Sequence, residues 1–155
     1  MQLNPETDLE LIRHFRAPPD RVWRCWTEAS LLEQWFAPKP VVTRDVVLEL
    51  HPGGSFRTTM DIPGHGSVTG HGCVLHVEPM RRLVWTDLME GAFRPANAVL
   101  GFTAIIALEP QGEGTLYRAV AMHRGPEQCQ EHSRMGFHEG WGTAASQLDA
   151  LALTL

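Results

Sequence analysis

The sequence predicts an α+β fold, in which a mostly antiparallel sheet of about six to seven strands is closed by a long C-terminal helix. Between residues 41 and 123, short apolar runs are interrupted by glycine and proline, which is typical of strands and turns. From Met135 to Leu155, apolar side chains recur at steps of three and four. This spacing indicates a helix with one apolar face, formed by Met135, His138, Trp141, Ala145, Leu148, Ala152 and Leu155.

The N-terminal part predicts one strand followed by a short helix. Residues 9–16 alternate between the two faces of a strand, and the Ala-Pro-Pro-Asp segment at 17–20 ends it. A proline just inside a helix start is favourable, because its missing N–H has no hydrogen-bond partner there. Val22, Trp23 and Trp26 then form the apolar stripe of the first helix.

A second short helix is predicted at residues 31–36. Thr27 or Ser30 is its candidate cap, and Ser30 and Glu33 have the spacing of a capping box. Two prolines at residues 38 and 40 end this helix, since proline cannot continue the hydrogen-bond pattern. The two helices are therefore expected to follow the first strand and to precede the remaining strands in the sequence.

The middle of the chain predicts strands separated by turns that are rich in glycine and proline. The predicted strands are residues 41–50, 55–60, 67–77 and 83–87. Gly70 and Gly72 within the third of them indicate strong bending or a close backbone approach. Residues 51–54 are interpreted as a turn or bulge, and residues 62–66 and 78–81 as turns.

Residues 88–100 lack clean periodicity and are interpreted as a long loop over a cavity mouth. Strands are expected again at residues 101–108 and 115–123, joined by a turn at residues 109–114. Residues 125–127 then lead into the closing helix.

Length and composition favour one cytoplasmic domain spanning residues 1–155, with a core at about residues 8–153. The formal charge of −5, without a basic run, argues against nucleic-acid binding. The polar N-terminus does not have the pattern of a secretory signal, and no apolar run is long enough for a membrane span. Cys25, Cys73 and Cys129 are an odd number of widely spaced cysteines, which indicates reduced thiols.

Six short motifs in order resemble the START-like superfamily, also called SRPBCC, whose members have the helix-grip fold. They include Ala17-Pro-Pro-Asp-Arg-Val-Trp23, Pro52-Gly-Gly-Ser-Phe56 and the terminal Gly136-Phe-His-Glu-Gly-Trp141. The others are Trp26-Thr-Glu-Ala-Ser-Leu-Leu-Glu-Gln-Trp-Phe36, Glu78-Pro-Met-Arg-Arg-Leu-Val-Trp-Thr86 and Gly114-Thr115. Within the superfamily, the chain looks most like bacterial relatives of the activator of heat-shock-protein ATPase.

The resemblance implies a cavity between the concave face of the sheet and the closing helix. Large aromatic side chains beside small residues are what an aromatic ligand requires. The candidate ligand-binding residues are Trp35, Phe56, Thr58, Met60, His71, Trp85, Asp87, Phe102, Met122, Phe137, His138, Trp141 and Ala145. Met135 is a further candidate for the lining. His71 and His138 are the groups expected to orient a ligand.

No catalytic residue is assigned, because the sequence has no nucleophile elbow, Walker motif or dinucleotide fingerprint. No metal site and no cofactor are expected, since the eight histidines lack the spacing of metal ligands. Cys73 and His71 share a strand face, which leaves a thiolate–imidazole pair open as a weaker hypothesis.

The leading hypothesis is that the protein binds a hydrophobic or aromatic small molecule in this cavity. One alternative is a cofactor-independent enzyme, such as a cyclase, dehydratase or hydrolase acting on a polyketide-like substrate through a histidine–aspartate pair. The other is a cochaperone-like interaction module. A homodimer formed through residues 9–15 or the loop near Phe93 is also plausible, because open sheet edges need cover.

Overall fold

The computed structural model describes residues 2–98 and 100–155 and has the predicted α+β architecture. The strands are β1 (Asp8–Phe15), β2 (Val42–Leu48), β3 (Ser55–Ile62), β4 (Gly66–Glu78), β5 (Arg82–Thr86), β6 (Met89–Glu90), β7 (Arg94–Pro95), β8 (Phe102–Gln111) and β9 (Gly114–His123). The helices are α1 (Pro19–Thr27), α2 (Ala29–Leu32), α3 (Pro126–Arg134) and α4 (Phe137–Ala152). Seven strands form one curved antiparallel sheet in the order β1-β9-β8-β5-β4-β3-β2, so the helix-grip fold is confirmed.

The register of the sheet decides which side chains face the helices. Phe56 on β3 is paired with Gly72 on β4, and both lie on the concave face. Arg57 and His71 are the next pair, so they lie on the opposite, convex face. Gly72 allows the close backbone approach that the sequence predicted, because an added Cβ would lie 3.0 Å from the Thr86 carbonyl oxygen.

The first helix is confirmed, whereas the second is shorter than predicted and is capped differently. Helix α2 ends at Leu32, and its N-cap residue is Glu28, without a side-chain capping bond. The predicted capping box of Ser30 and Glu33 is therefore wrong. The Glu33 carboxylate accepts a hydrogen bond from the Val46 N–H instead, at 3.2 Å, which ties α2 to β2.

The single closing helix of the prediction is in fact two helices. Gly136 lies between α3 and α4 with φ +94°, a left-handed conformation that favours glycine and interrupts the helical path. The break moves the apolar stripe, so that Met135 and His138 are exposed. The buried face of α4 is formed by Phe137, Gly142, Ala144, Ala145, Leu148 and Ala152.

The segment at residues 88–100 differs from the predicted loop. It contains the β6–β7 hairpin, and the Ala92 N–H donates a hydrogen bond to the Gly53 carbonyl at 2.7 Å. The hairpin therefore packs against the turn before β3. Of the described part of this segment, Leu100 alone lines the cavity below the sheet.

Helix α4 packs on β1 and on α1, so it covers one side of the concave face. The opposite side of that face, around β3 and β5, is approached by the segment that follows α2. In the described parts of the chain, no helix combines the length and the apolar character needed to cross a membrane.

Candidate functional site

A cavity of about 430 Å³ lies between the concave face of the sheet and the helices α3 and α4. Strands β1, β3, β5, β8 and β9 supply one wall, and α1, α3, α4 and the segment after α2 supply the others. Most lining side chains are apolar, and the aromatic ones are Trp26, Trp35, Phe36, Trp85, Phe102, Tyr117, Phe137 and Trp141. No Asp, Glu, Lys or Arg is among the lining residues that the structure describes.

The aromatic rings form a nearly continuous belt around this space. Phe102 is its centre, with ring centroids 5.5 Å from Trp85, 6.1 Å from Trp141 and 5.1 Å from His132. Trp141 also packs against Phe137 at 4.5 Å. Offset and edge-on contacts of this kind hold the rings in place, so the wall is largely preformed.

Small residues on α4 leave the space that the rings do not fill. Gly140, Ala144 and Ala145 line the cavity, and an added Cβ at Gly140 would meet no atom within 4 Å. Met135 lines the cavity and is nevertheless 65% exposed, so it lies at the mouth. The void is therefore bounded by large rings and kept open by missing side-chain volume.

The polar side chain of most interest in the wall is His132, on α3. Its Nδ1 lies 2.8 Å from Nε2 of His123, at the end of β9, and both rings are only 7% exposed. His123 Nδ1 lies 2.9 Å from the Thr7 carbonyl oxygen, which can only accept a hydrogen bond. In the neutral pair, His123 therefore donates from Nδ1 and accepts at Nε2, and His132 donates from Nδ1.

This chain of hydrogen bonds leaves Nε2 of His132 as an unprotonated acceptor. Nε2 has no hydrogen-bond partner among the described residues, and the ring lines the cavity. Burial, and then the charge of His123, lowers the pKa of His132 to about 4. The imidazole of His132 is therefore neutral at pH 7.

Two tryptophans of the wall have internal hydrogen-bond partners and a third does not. Trp26 Nε1 donates to the Tyr117 hydroxyl at 3.2 Å, and Trp35 Nε1 donates to the Cys25 carbonyl at 2.9 Å. Nε1 of Trp85 is buried without a partner in the described structure. Burial raises the pKa of Tyr117, so its hydroxyl stays protonated and keeps its own hydrogen as a donor.

The structure brings a core of the predicted site residues together. Those that line the cavity are Trp35, Met60, Trp85, Phe102, Phe137, Trp141 and Ala145. Phe56 and Thr58 lie on the same face but behind this wall. Phe56 supports the ring of Trp85 at a centroid distance of 4.7 Å, and Thr58 is buried at the pairing with Gly70.

The remaining predicted residues lie outside the cavity. Two of them are the histidines that were expected to orient a ligand, His71 and His138. His71 is exposed on the convex face, because it is paired with Arg57 and alternates with Gly72. His138 is exposed on α4, where its Nε2 lies 3.2 Å from the Glu10 carbonyl oxygen. Neither can orient a molecule inside the cavity from these positions.

Asp87 and Met122 also lie outside the cavity wall. Asp87 accepts a hydrogen bond from the Phe102 N–H at 2.8 Å, so it fixes the start of β8. Burial raises the pKa of this carboxyl group, against the effect of its backbone hydrogen bonds. Met122 alternates with Ala121 and His123 along β9, which puts it on the convex face.

Several lining residues were not predicted from the sequence, among them His132 and Trp26. His132 lies in a polar helix, and the contact with β9 that buries it is a tertiary contact. The available signal was its spacing from Cys129, three residues earlier, because the two side chains share the buried face of α3. Trp26 was recognised only as part of the first helical stripe.

A larger groove of about 740 Å³ lies outside the cavity, between the turn before β3, the convex side of β4 and the β6–β7 hairpin. Its lining includes Glu49, His51, Arg57, His71 and Glu90. Despite these groups, no set of three or more His, Cys, Asp or Glu side chains suited to a metal ion is found among residues 2–98 and 100–155. Cys73 is buried, and its Sγ lies 3.5 Å from the Val74 carbonyl oxygen rather than against the exposed His71.

Comparison with known structures supports the fold over the full length. A protein from Nitrosomonas europaea, solved by crystallography, is 43% identical, with a TM-score of 0.94 over 98% of this chain and 97% of that one. A protein from Rhodobacter sphaeroides is 25% identical, with a TM-score of 0.82 over 99% and 98% of the two chains. An AHSA1-like protein from Aeromonas hydrophila is 15% identical, with a TM-score of 0.73 over 95% and 92%, which shows the fold alone.

No curated protein matches the chain. The family model described as activator of Hsp90 ATPase homolog 1-like protein matches residues 16–152, which include the residues that line the cavity other than Leu11. The resemblance to the START-like superfamily is thereby confirmed. The chain belongs to the family of activator of Hsp90 ATPase homolog 1-like proteins.

Proposed function

We propose that this protein binds an apolar or aromatic small molecule in the cavity between the sheet and α4. The observation that carries this proposal is the belt of aromatic rings around an unfilled space of about 430 Å³. Cavities of roughly 300–1,000 Å³ with mostly apolar walls and few polar groups are the usual sites for small ligands.

The composition of the wall favours a neutral, flat molecule. Burial of apolar ligand surface contributes about 25 cal/mol per Å², whereas an unpaired charge would lose its hydration without a compensating partner. The rings of Trp85, Phe102 and Trp141 offer both faces and edges for stacking. The absence of described charged residues from the wall therefore agrees with an uncharged aromatic ligand.

The other two functions expected from the sequence lack a comparable observation. The enzyme hypothesis needs a histidine and an aspartate that converge on a substrate, but His71, His138 and Asp87 lie outside the cavity wall. A cochaperone-like role would use an exposed surface rather than this cavity. The homodimer also stays a prediction, although β1 is indeed an edge strand of the sheet.

The test is a thermal-shift screen with aromatic, polyketide-like and lipid compounds, carried out on the wild type and on two variants. Gly140→Phe places a ring in the open space beside α4. Ala150→Phe adds the same ring at an exposed position on the same helix, and is the matched control. A ligand that binds only the native state stabilises it by about 2.7 kcal/mol at a hundredfold excess over Kd.

We expect a group of chemically related hits that stabilise the wild type and Ala150→Phe but not Gly140→Phe. Hits that stabilise all three proteins equally would place the binding site outside the cavity. A screen without any hit on the wild type would overturn the proposed function.

A further inference from the structure

His132 gives the cavity a polarity that its apolar walls alone would not have. The Thr7 carbonyl oxygen forces His123 to donate from Nδ1, and His123 in turn forces His132 to donate from Nδ1. Nε2 of His132 is left with a lone pair and without a partner among the described residues. Because the ring lines the cavity, a hydrogen bond to this lone pair must come from water or from a bound molecule.

We propose that the molecule bound in the cavity is a neutral hydroxylated aromatic compound, and that its hydroxyl donates a hydrogen bond to Nε2 of His132. This inference rests on the proposed function and adds the chemical class of the ligand. It also gives His132 the role of positioning the ligand by one directed bond.

Two other polar side chains of the wall differ from His132 in the hydrogen-bonding group that they offer to a ligand. Nε1 of Trp85 can only donate, and the hydroxyl of Tyr117 already accepts from Trp26 and has its own hydrogen to offer, so both favour an acceptor on a ligand. A carbonyl oxygen on the ligand would therefore be repelled by the lone pair of His132 and attracted by those two groups. A donor, in contrast, has its complement at His132.

The same wall disfavours charged ligands. A carboxylate or a phosphate needs a cation or several N–H donors when it is buried, and the described lining contains no lysine or arginine. An ammonium group would lack a carboxylate partner for the same reason. Of the groups that donate a hydrogen bond, a neutral hydroxyl costs the least to bury here.

Three probes of similar size separate this inference from the proposed function. 2-Naphthol carries a donor, 2-methylnaphthalene replaces the hydroxyl with a methyl group, and 2-methoxynaphthalene carries an oxygen that only accepts. Their affinities are measured at pH 7 by quenching of tryptophan fluorescence. The wild type is compared with His132→Phe, which keeps a ring, and with His138→Phe, the same substitution at an exposed histidine outside the cavity.

We expect His132→Phe to weaken 2-naphthol relative to 2-methylnaphthalene by about tenfold, the usual size of one lost hydrogen bond in a buried site. His138→Phe should leave this ratio unchanged. An unchanged ratio in His132→Phe would overturn the inference, while continued binding of 2-methylnaphthalene would preserve the proposed function. Failure of all three probes to bind the wild type would overturn the inference, and the compound screen then decides the proposed function separately.

A second measurement does not depend on the variant folding. In ¹⁵N NMR of the wild type, the Nε2 resonance of His132 should move toward that of a hydrogen-bonded acceptor when 2-naphthol is added. 2-Methylnaphthalene should not produce this movement. Equal changes with both compounds would contradict a hydrogen bond from the hydroxyl.

Discussion

The inner cavity and the outer groove both have residues of strand β3 in their walls but have opposite chemistry. On the concave face, Trp85 and Phe102 present rings to a space without described charged residues. On the convex side, the alternate positions Arg57 and His71 line a larger groove together with acidic side chains. The period-two alternation of β-strands is sufficient to produce this contrast.

Volume alone does not identify a binding site in this protein. The outer groove is larger, at about 740 Å³ against about 430 Å³, yet its polar side chains, such as Arg57 and His71, are exposed to solvent. In the inner cavity, the aromatic walls offer water few hydrogen-bond partners, and Nε2 of His132 lacks a partner among the described residues. Ligand binding is therefore expected to be more favourable in the inner cavity than in the outer groove.

The strongest way to test the comparison is to remove one ring from each side. Phe102→Ala should destabilise the protein by about 3–5 kcal/mol, because a nearly buried ring at the centre of the belt is lost. Phe93→Ala, on the outer hairpin, should cost less than about 1 kcal/mol, since that ring is 51% exposed. Urea unfolding of both variants measures the difference, and similar losses would contradict a tightly packed belt beside a loosely packed hairpin.

The pH dependence of stability tests the buried histidine pair. The folded-state pKa of His132 is about 4, below the value of 6.5 for an unperturbed histidine, so the unfolded chain binds the proton more readily. The free energy of unfolding is therefore highest above pH 6.5, where His132 is neutral in both states, and it decreases as the pH falls toward 4. After allowance for screening by water, this loss is about 2 kcal/mol.

Urea unfolding at several pH values between 7 and 4 measures this dependence. His132→Phe should flatten the stability curve in that window, whereas Phe93→Ala, which removes no titratable group, should keep the shape of the wild-type curve. If wild type and His132→Phe lose stability in parallel, the pKa of His132 is not the cause.

A smaller effect than those at Phe102 and His132 is expected at the turn under the hairpin. Gly53 has φ +85°, and an added Cβ would lie 2.6 Å from a ring carbon of Phe93. Gly53→Ala should therefore cost about 1–2 kcal/mol of stability, through backbone strain and displacement of that ring. The affinity for 2-naphthol should not change, and a marked loss of affinity would show that the outer groove and the inner cavity are coupled.

Much of the fold and part of the site followed from sequence patterns. Strands β2 to β5, β8 and β9 agree with the predicted bounds to within a few residues at each end, because alternation is a local property, whereas the short strands β6 and β7 were not predicted. The aromatic residues Trp35, Trp85, Phe102 and Trp141 were predicted to line the cavity and do so. The capping box at Ser30 failed because Glu33 had a better partner in a distant strand, which no local pattern reveals.

Local sequence patterns were sufficient to predict the α+β class, the strands of the main sheet and the presence of large aromatic side chains beside small helical residues. Periodicity and residue volume can be recognised from neighbouring positions, and they do not depend on contacts between distant parts of the chain. Three features became apparent only in the folded structure. Gly136 divides the closing helix, His71 and His138 lie outside the cavity, and His132 lines it. Those outcomes depend on strand register, on one left-handed residue and on a hydrogen bond between residues of β9 and α3, all of which exist only after the chain has packed.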